Sequence, residues 1–141
     1  MAKKTLISSL TIAAAALAAT LAATLAFAPA HAAPRWETLM LNAQGVYYID
    51  PASVSRDGDK RTFISMLDYR NTQINEAGKP YLSIQSQFQI NCRMKLARIV
   101  HLTYYSGPML TGNVIERQGM LQDWNEIDST TPVARMVRFV C

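Results

Sequence analysis

The cysteines, the histidines and the carboxylates are the residues through which this chain of 141 residues could do chemistry. Cys92 and Cys141 lack the CxxC spacing of a redox pair. The two histidines are His31 and His101, and only His101 lies outside the N-terminal segment discussed below. A single histidine supports neither a histidine-rich metal site nor a histidine dyad. A Ser-His-Asp set built on His101 would need a nucleophile elbow, and no serine sits in a GxSxG context. Asp57 and Asp59 flank Gly58, which is turn chemistry rather than a calcium loop. Asp50 precedes Pro51, where an Asx-type turn is the simpler role. No glycine-rich phosphate loop or dinucleotide fingerprint occurs. The chain therefore reads as a non-enzyme, with no catalytic residue, metal ligand or cofactor expected.

Binding residues are better represented. There are 6 tyrosines, and tyrosine joins a large apolar face to a polar tip. Arg93, Lys95 and Arg98 form a basic stretch able to meet an acidic polymer. Together with Tyr104 and Tyr105 they make up the candidate binding surface, directed at a protein or polyanionic partner. The competing assignment puts half the tyrosines in the core and the basic run on a solvated edge. Gln85, Gln87 and Gln89 form a flat polar row that suits either solvent or docking. An exposed edge strand also offers pairing with a second copy, so a homodimer or a self-associating envelope component is the alternative function.

The N-terminus places the protein. Lys3 and Lys4 precede an Ala/Leu-rich run to about Phe27, Pro29 breaks it, and Ala30-His31-Ala32 carries small residues where signal peptidase reads. Residues 1–32 are thus expected to be a cleaved secretory signal peptide and 33–141 the mature domain. The run could almost span a bilayer, but it is mostly alanine and is interrupted by Ser8, Ser9, Thr11, Thr20 and Thr24. No cysteine near the cleavage site supplies a lipobox. Cleavage removes 32 of 141 residues, leaving 109, and takes Lys3 and Lys4 but no acid, so the net charge falls from +4 to +2. That removes the main support for nucleic-acid binding. The expected product is periplasmic or secreted, with no stable membrane insertion after cleavage. In an oxidising compartment an even cysteine pair reads as a disulfide, here joining Cys92 to Cys141.

Six strands and a helix must position these groups. Period-two patterning predicts strands over 36–41, with Trp36, Thr38 and Met40 on one face, over Val46–Ile49, and over Arg61–Tyr69 after a hairpin tip at Arg56–Asp59. Asn71–Pro80 reads as a long, mobile polar connection. Over 81–91 the alternation is cleanest, with Leu82, Ile84, Phe88, Ile90 and Cys92 facing the core and the glutamines facing away. A weaker strand over 94–105 puts Leu96, Val100, Leu102 and Tyr104 on one side. A sixth lies within 111–120. Asp123–Ile127 reads as a turn or helical loop. Ser129-Thr130-Thr131-Pro132 suits a helix start, and Val133, Met136, Val137 and Val140 form one apolar stripe. The expected fold is α+β: a single antiparallel sheet of about six strands packed by a C-terminal helix, with one disulfide.

In order along the chain, Trp36, Val46-Tyr47-Tyr48-Ile49-Asp50, Ser53-Val54, Leu67-Asp68-Tyr69, Tyr81-Leu82-Ser83, Asn91-Cys92, Arg98, Tyr104, Trp124 and Val140-Cys141 resemble the surface-adhesin protein E-like domains. The resemblance spans nearly all of 33–141. It implies an antiparallel sheet closed by a C-terminal helix and a non-enzymatic, adhesive role, with host matrix and plasma proteins as the partners of the family's named adhesin.

Overall fold

Strand propensity and alternation carry most of the chain into one sheet. The structure is a computed structural model describing residues 33–119 and 122–141. The expected leader over 1–32 and Met120, the last residue of the expected sixth strand, lie outside the described residues. The strands are β1 (Glu37–Leu41), β2 (Gly45–Ile49), β3 (Ser55–Asp57), β4 (Lys60–Ile74), β5 (Pro80–Asn91), β6 (Leu96–Tyr105), β7 (Val114–Gly119) and β8 (Asn125–Glu126), followed by the helix α1 (Pro132–Val140). All pairings are antiparallel, in the order β1-β2-β4-β5-β6-β7, with β3 added beside β4 and β8 beside β6.

Among the described residues the sheet thus has eight strands rather than about six. The additions are the near arm of the Gly58 hairpin and a two-residue strand where a turn or helical loop was expected over 123–127. Asn125 and Glu126 carry little strand propensity of their own. They pair because Leu96 and Ala97 at the start of β6 would otherwise leave backbone groups unpaired there. The connection expected over 71–80 is also shorter. β4 continues to Ile74 and only 75–79 forms the turn, closed by hydrogen bonds from Gly78 N to Asn75 O and from Lys79 N to Asn75 Oδ1.

Bulges decide which side chains share a face. In β1 the register shifts at Leu39, so Thr38 lies opposite Tyr48 and Met40 opposite Tyr47, on opposite faces rather than on the shared one expected. In β6 Val100 is the extra residue, since Ile99 pairs with Phe88 and His101 with Gln87. Ala97, Ile99, Leu102 and Tyr104 consequently share the helix-side face, while Leu96 and Arg98 turn away. The weak alternation read there was the trace of this bulge. At Gly45, a Cβ would overlap the carbonyl oxygen of Asp68 across the β2–β4 pair, so only glycine fits.

The core sits between the sheet and α1. Ile49, Phe63, Phe88 and Ile90 meet Met136 and Val140 of the helix, and all are buried. Phe63 and Phe88 stack with ring centroids 5.7 Å apart. Pro132 opens the helix at its first turn, as its fixed φ favours. Thr131 stands at the cap without a side-chain cap bond, its hydroxyl donating instead to the Asp128 carbonyl.

Cys92, just past β5, is bonded to Cys141, just past α1, with Cα atoms 5.6 Å apart. Closing a loop of 49 positions is worth about 4 kcal/mol in the chain-entropy model. Against a domain stability on the order of 5–15 kcal/mol, this is a large share. The double substitution of Cys92 and Cys141 by Ala is expected to lower stability by about 2–4 kcal/mol, read as the denaturant midpoint, with no further loss on adding reductant. An unchanged midpoint would show that the helix holds without the bridge.

Candidate functional site

The residues singled out for binding do not gather at one place. Arg93 and Lys95 occupy the β5–β6 hairpin tip, both exposed. Arg93 Nε lies 3.0 Å from Asp59 Oδ2 and is paired there. Arg98 stands on the face away from the helix, its Nε donating to Gln89 Oε1 at 2.8 Å and its guanidinium 4.5 Å above the Trp124 ring. Tyr104 and Tyr105 lie about 20 Å further along β6, from the strand rise per residue. These two also point apart, Tyr104 opposite Ile84 on the helix-side face and Tyr105 opposite Ser83 on the other. His101 is exposed, across from Gln87 and Gly119.

What the fold does build is a groove, and the lengths of its elements explain it. α1 has 9 residues, about 14 Å. β4 has 15 residues and β5 has 12, roughly 50 and 40 Å. One short helix cannot cover the face that such strands present. It covers the Phe63–Phe88–Ile90 end, where the disulfide holds it. The remainder is floored by Tyr47, Leu67, Ile84 and Leu102, with Pro132, Val133 and Met136 of α1 as one wall, and encloses an apolar cavity of ≈ 320 Å³. Ser65 and Ser86 are the small polar side chains within it.

Leu102 also lines a second, more polar hollow of ≈ 370 Å³ beyond the groove, bounded by Asn75, Glu76, Tyr81, Tyr104 and Gln118. The β4–β5 register shifts between Asp68 and Gln73, and past that shift Tyr81 lies between two other tyrosines. Its ring meets Tyr69 edge-on at 5.6 Å and Tyr104 at 5.0 Å. Burial, the nearby Tyr81 phenol and its hydrogen bond push Tyr69 well above the ordinary phenol range. Tyr104 is raised by burial, then by Tyr81, and by the carboxylates of Glu116 and Glu76. These phenols are neutral at physiological pH and act as donors or acceptors, not as bases. Glu116 is held in place, its Oε2 accepting from Asn75 Nδ2 and its Oε1 from Gln118 Nε2, each at 2.6 Å.

The opposite face is sealed at the same end by the loop 106–112. Ser83, fully buried, accepts from Leu110 N at 2.9 Å and donates to Gly107 O at 2.7 Å, while Asp68 Oδ1 accepts from Met109 N at 2.7 Å. These bonds hold Met109 and Leu110 at positive φ, 51° and 59°. Among the described residues no cluster of metal-ligating side chains occurs.

Sequence reasoning named the tyrosines but not this groove. Leu67 and Tyr69 follow Phe63 at the period-two spacing that puts them on one face of the expected 61–69 strand. The clue left unused was the shortness of the helix stripe, which predicts that part of that face stays uncovered. Glu76 and Glu116 gave no signal, because the 75–79 turn and β7 come together only through tertiary pairing, with Asn75 bonded to Glu116.

Sheet, helix and bridge together define a small single-sheet domain closed on one face by a disulfide-anchored helix. The chain belongs to the surface-adhesin protein E family, whose model matches residues 36–141, a family named for adhesion rather than for a reaction. Among solved structures it is similar to Haemophilus influenzae protein E, with 16% identity and a TM-score of 0.55 over 77% of this chain and 89% of that one. A structure of protein E from non-typeable Haemophilus influenzae gives 17% identity and a TM-score of 0.54 over 77% and 80%. No curated protein sequence matches the chain. At these identities the structural likeness speaks for the fold.

The raised phenols carry a pH signature. Above the ordinary phenol value of about 10, an unfolded chain loses the Tyr69 proton while the folded chain keeps it. Stability is therefore complete below that pH and falls as pH rises toward the raised value. Tyr69→Phe is expected to flatten the alkaline fall of the denaturant midpoint; an unchanged alkaline slope would locate the titration elsewhere.

Proposed function

We propose that this chain is a non-enzymatic exported binding protein of the bacterial envelope, an adhesin that engages a protein partner through the groove between α1 and the uncovered sheet face. Residues 1–32 serve as the cleaved leader and 33–141 as the adhesive domain, which is periplasmic or released. The observation that carries this function is the apolar floor of Tyr47, Leu67, Ile84 and Leu102, left open in a protein of an adhesin family. A half-buried apolar hollow rimmed by tyrosine is the kind of surface that anchors a partner side chain. Polyanion binding has less support, because Arg93 is already paired with Asp59 and Arg98 is engaged by Gln89 and Trp124.

Self-association through an edge strand is the competing function. β1 and β7 end the sheet, and Leu41 and Val114 on them are exposed. Sedimentation separates the two, since a monomer at high concentration removes it.

Cell fractionation should find a product shortened by the leader outside the inner membrane. In pull-downs against matrix proteins, Tyr47→Ser and Leu102→Ser should each weaken capture about ten-fold or more, with the fold intact by circular dichroism. Arg93→Ser should leave capture unchanged. The reverse ranking would move the adhesive surface to the hairpin tip.

A further inference from the structure

The polar hollow at the far end of the groove has a chemistry of its own. Tyr81 and Tyr104 line it edge to face, Glu76 stands at its exposed rim, and Glu116, just outside the lining, is the cross-strand partner of Tyr104 in the β6–β7 pair. Among the described residues the one ion pair is Arg93–Asp59, so neither Glu76 nor Glu116 is held in a salt bridge, although Lys79 stands in the same turn as Glu76. The partners of Glu116 are the neutral amides of Asn75 and Gln118, which orient its charge without cancelling it. Aromatic rings beside ionised carboxylates attract a cation twice, through the ring quadrupole and through Coulomb attraction. The cavity of ≈ 370 Å³ is near the lower end of the range for ligand pockets, room for a side chain rather than for a large ligand.

We propose that this hollow receives the cationic side chain of a protein partner, a lysine or an arginine, seated against Tyr81 and Tyr104 with Glu76 and Glu116 beside it. The inference rests on the adhesive function proposed for this face and names the chemistry of the partner residue. A partner would place an apolar side chain over Leu102 and a basic one a few residues on, since Leu102 lines both hollows.

The test uses isotope-labelled protein purified from cells expressing the full chain, titrated by NMR with Nα-acetyl-lysine methylamide and with Nα-acetyl-arginine methylamide. The neutral isostere Nα-acetyl-norleucine methylamide is the control. Saturable shifts confined to the amides around Glu76, Tyr81, Tyr104 and Gln118 are expected with both cations. Norleucine should bind about ten-fold more weakly. The double variant Glu76→Gln, Glu116→Gln removes both charges, keeps one acceptor oxygen at 116 for Asn75 or Gln118, and should lose about ten-fold in affinity for the cations. Tyr104→Phe keeps the ring and should stay within about two-fold, while Tyr104→Leu should lose about three- to ten-fold. An equal response to norleucine, or affinity untouched by the double glutamine variant, overturns the inference. Matrix-protein capture that persists in a chain indifferent to both cations would overturn it too while sparing the groove. Cation uptake by a chain that captures no partner would support the hollow and sink the adhesive function.

Discussion

A helix of nine residues laid on strands of twelve and fifteen is the constraint from which the rest of this protein follows. Its apolar stripe is long enough to close the core of Ile49, Phe63, Phe88, Ile90 and Ala97 but not the whole sheet face. The bridge to Cys92 decides where that short cover is placed, because it ties the end of α1 to the end of β5. One half of the sheet face thereby becomes a core and the other half a floor. The same residue pattern serves both, and only the position of the helix separates folding from binding.

Electrostatics follow the same division. At the anchored end two arginines are engaged by neighbours, Arg93 at the surface by Asp59 and Arg98 by Trp124 and Gln89. At the open end the carboxylates of Glu76 and Glu116 remain without a cationic partner among the described residues, next to neutral phenols. Although the mature domain is expected to carry a small positive charge overall, its accessible hollow has the opposite sign. Net charge read from a sequence says little about the sign of one site, because the sum does not record where along the surface the charges of each sign lie.

The sheet-and-helix architecture was legible because alternation is a short-range signal. Phe88, Ile90 and Cys92 against Gln87 and Gln89 needed no tertiary information, and neither did the stripe of Met136 and Val140. The Asx turn at Asp50 was equally local, its Oδ1 accepting from Ala52 N. What escaped was whatever depends on counting across a pair of strands. Leu39 and Val100 each add one residue to one strand only, and every face assignment beyond them changes sides. The paired Asn125 and Glu126 exist because β6 offers bonds, not because their own types ask for a strand. The groove escaped for a related reason: it is the difference between two lengths, and no single residue encodes a difference.

Among the described residues, three other than glycine, Lys95, Met109 and Leu110, hold positive φ. For an L-residue the left-handed region costs roughly 1–2 kcal/mol, a strain that persists only where neighbouring bonds insist on it. At Met109 and Leu110 those bonds come from Asp68 and Ser83 on the face opposite the groove. Lys95 and Met109 keep much of their side chains in solvent. Glycine at either would relieve the backbone while removing little packing. The domain therefore sits below the stability its own topology allows, and this margin lies in loops that a protein engineer seeking a hardier scaffold could alter without touching the groove.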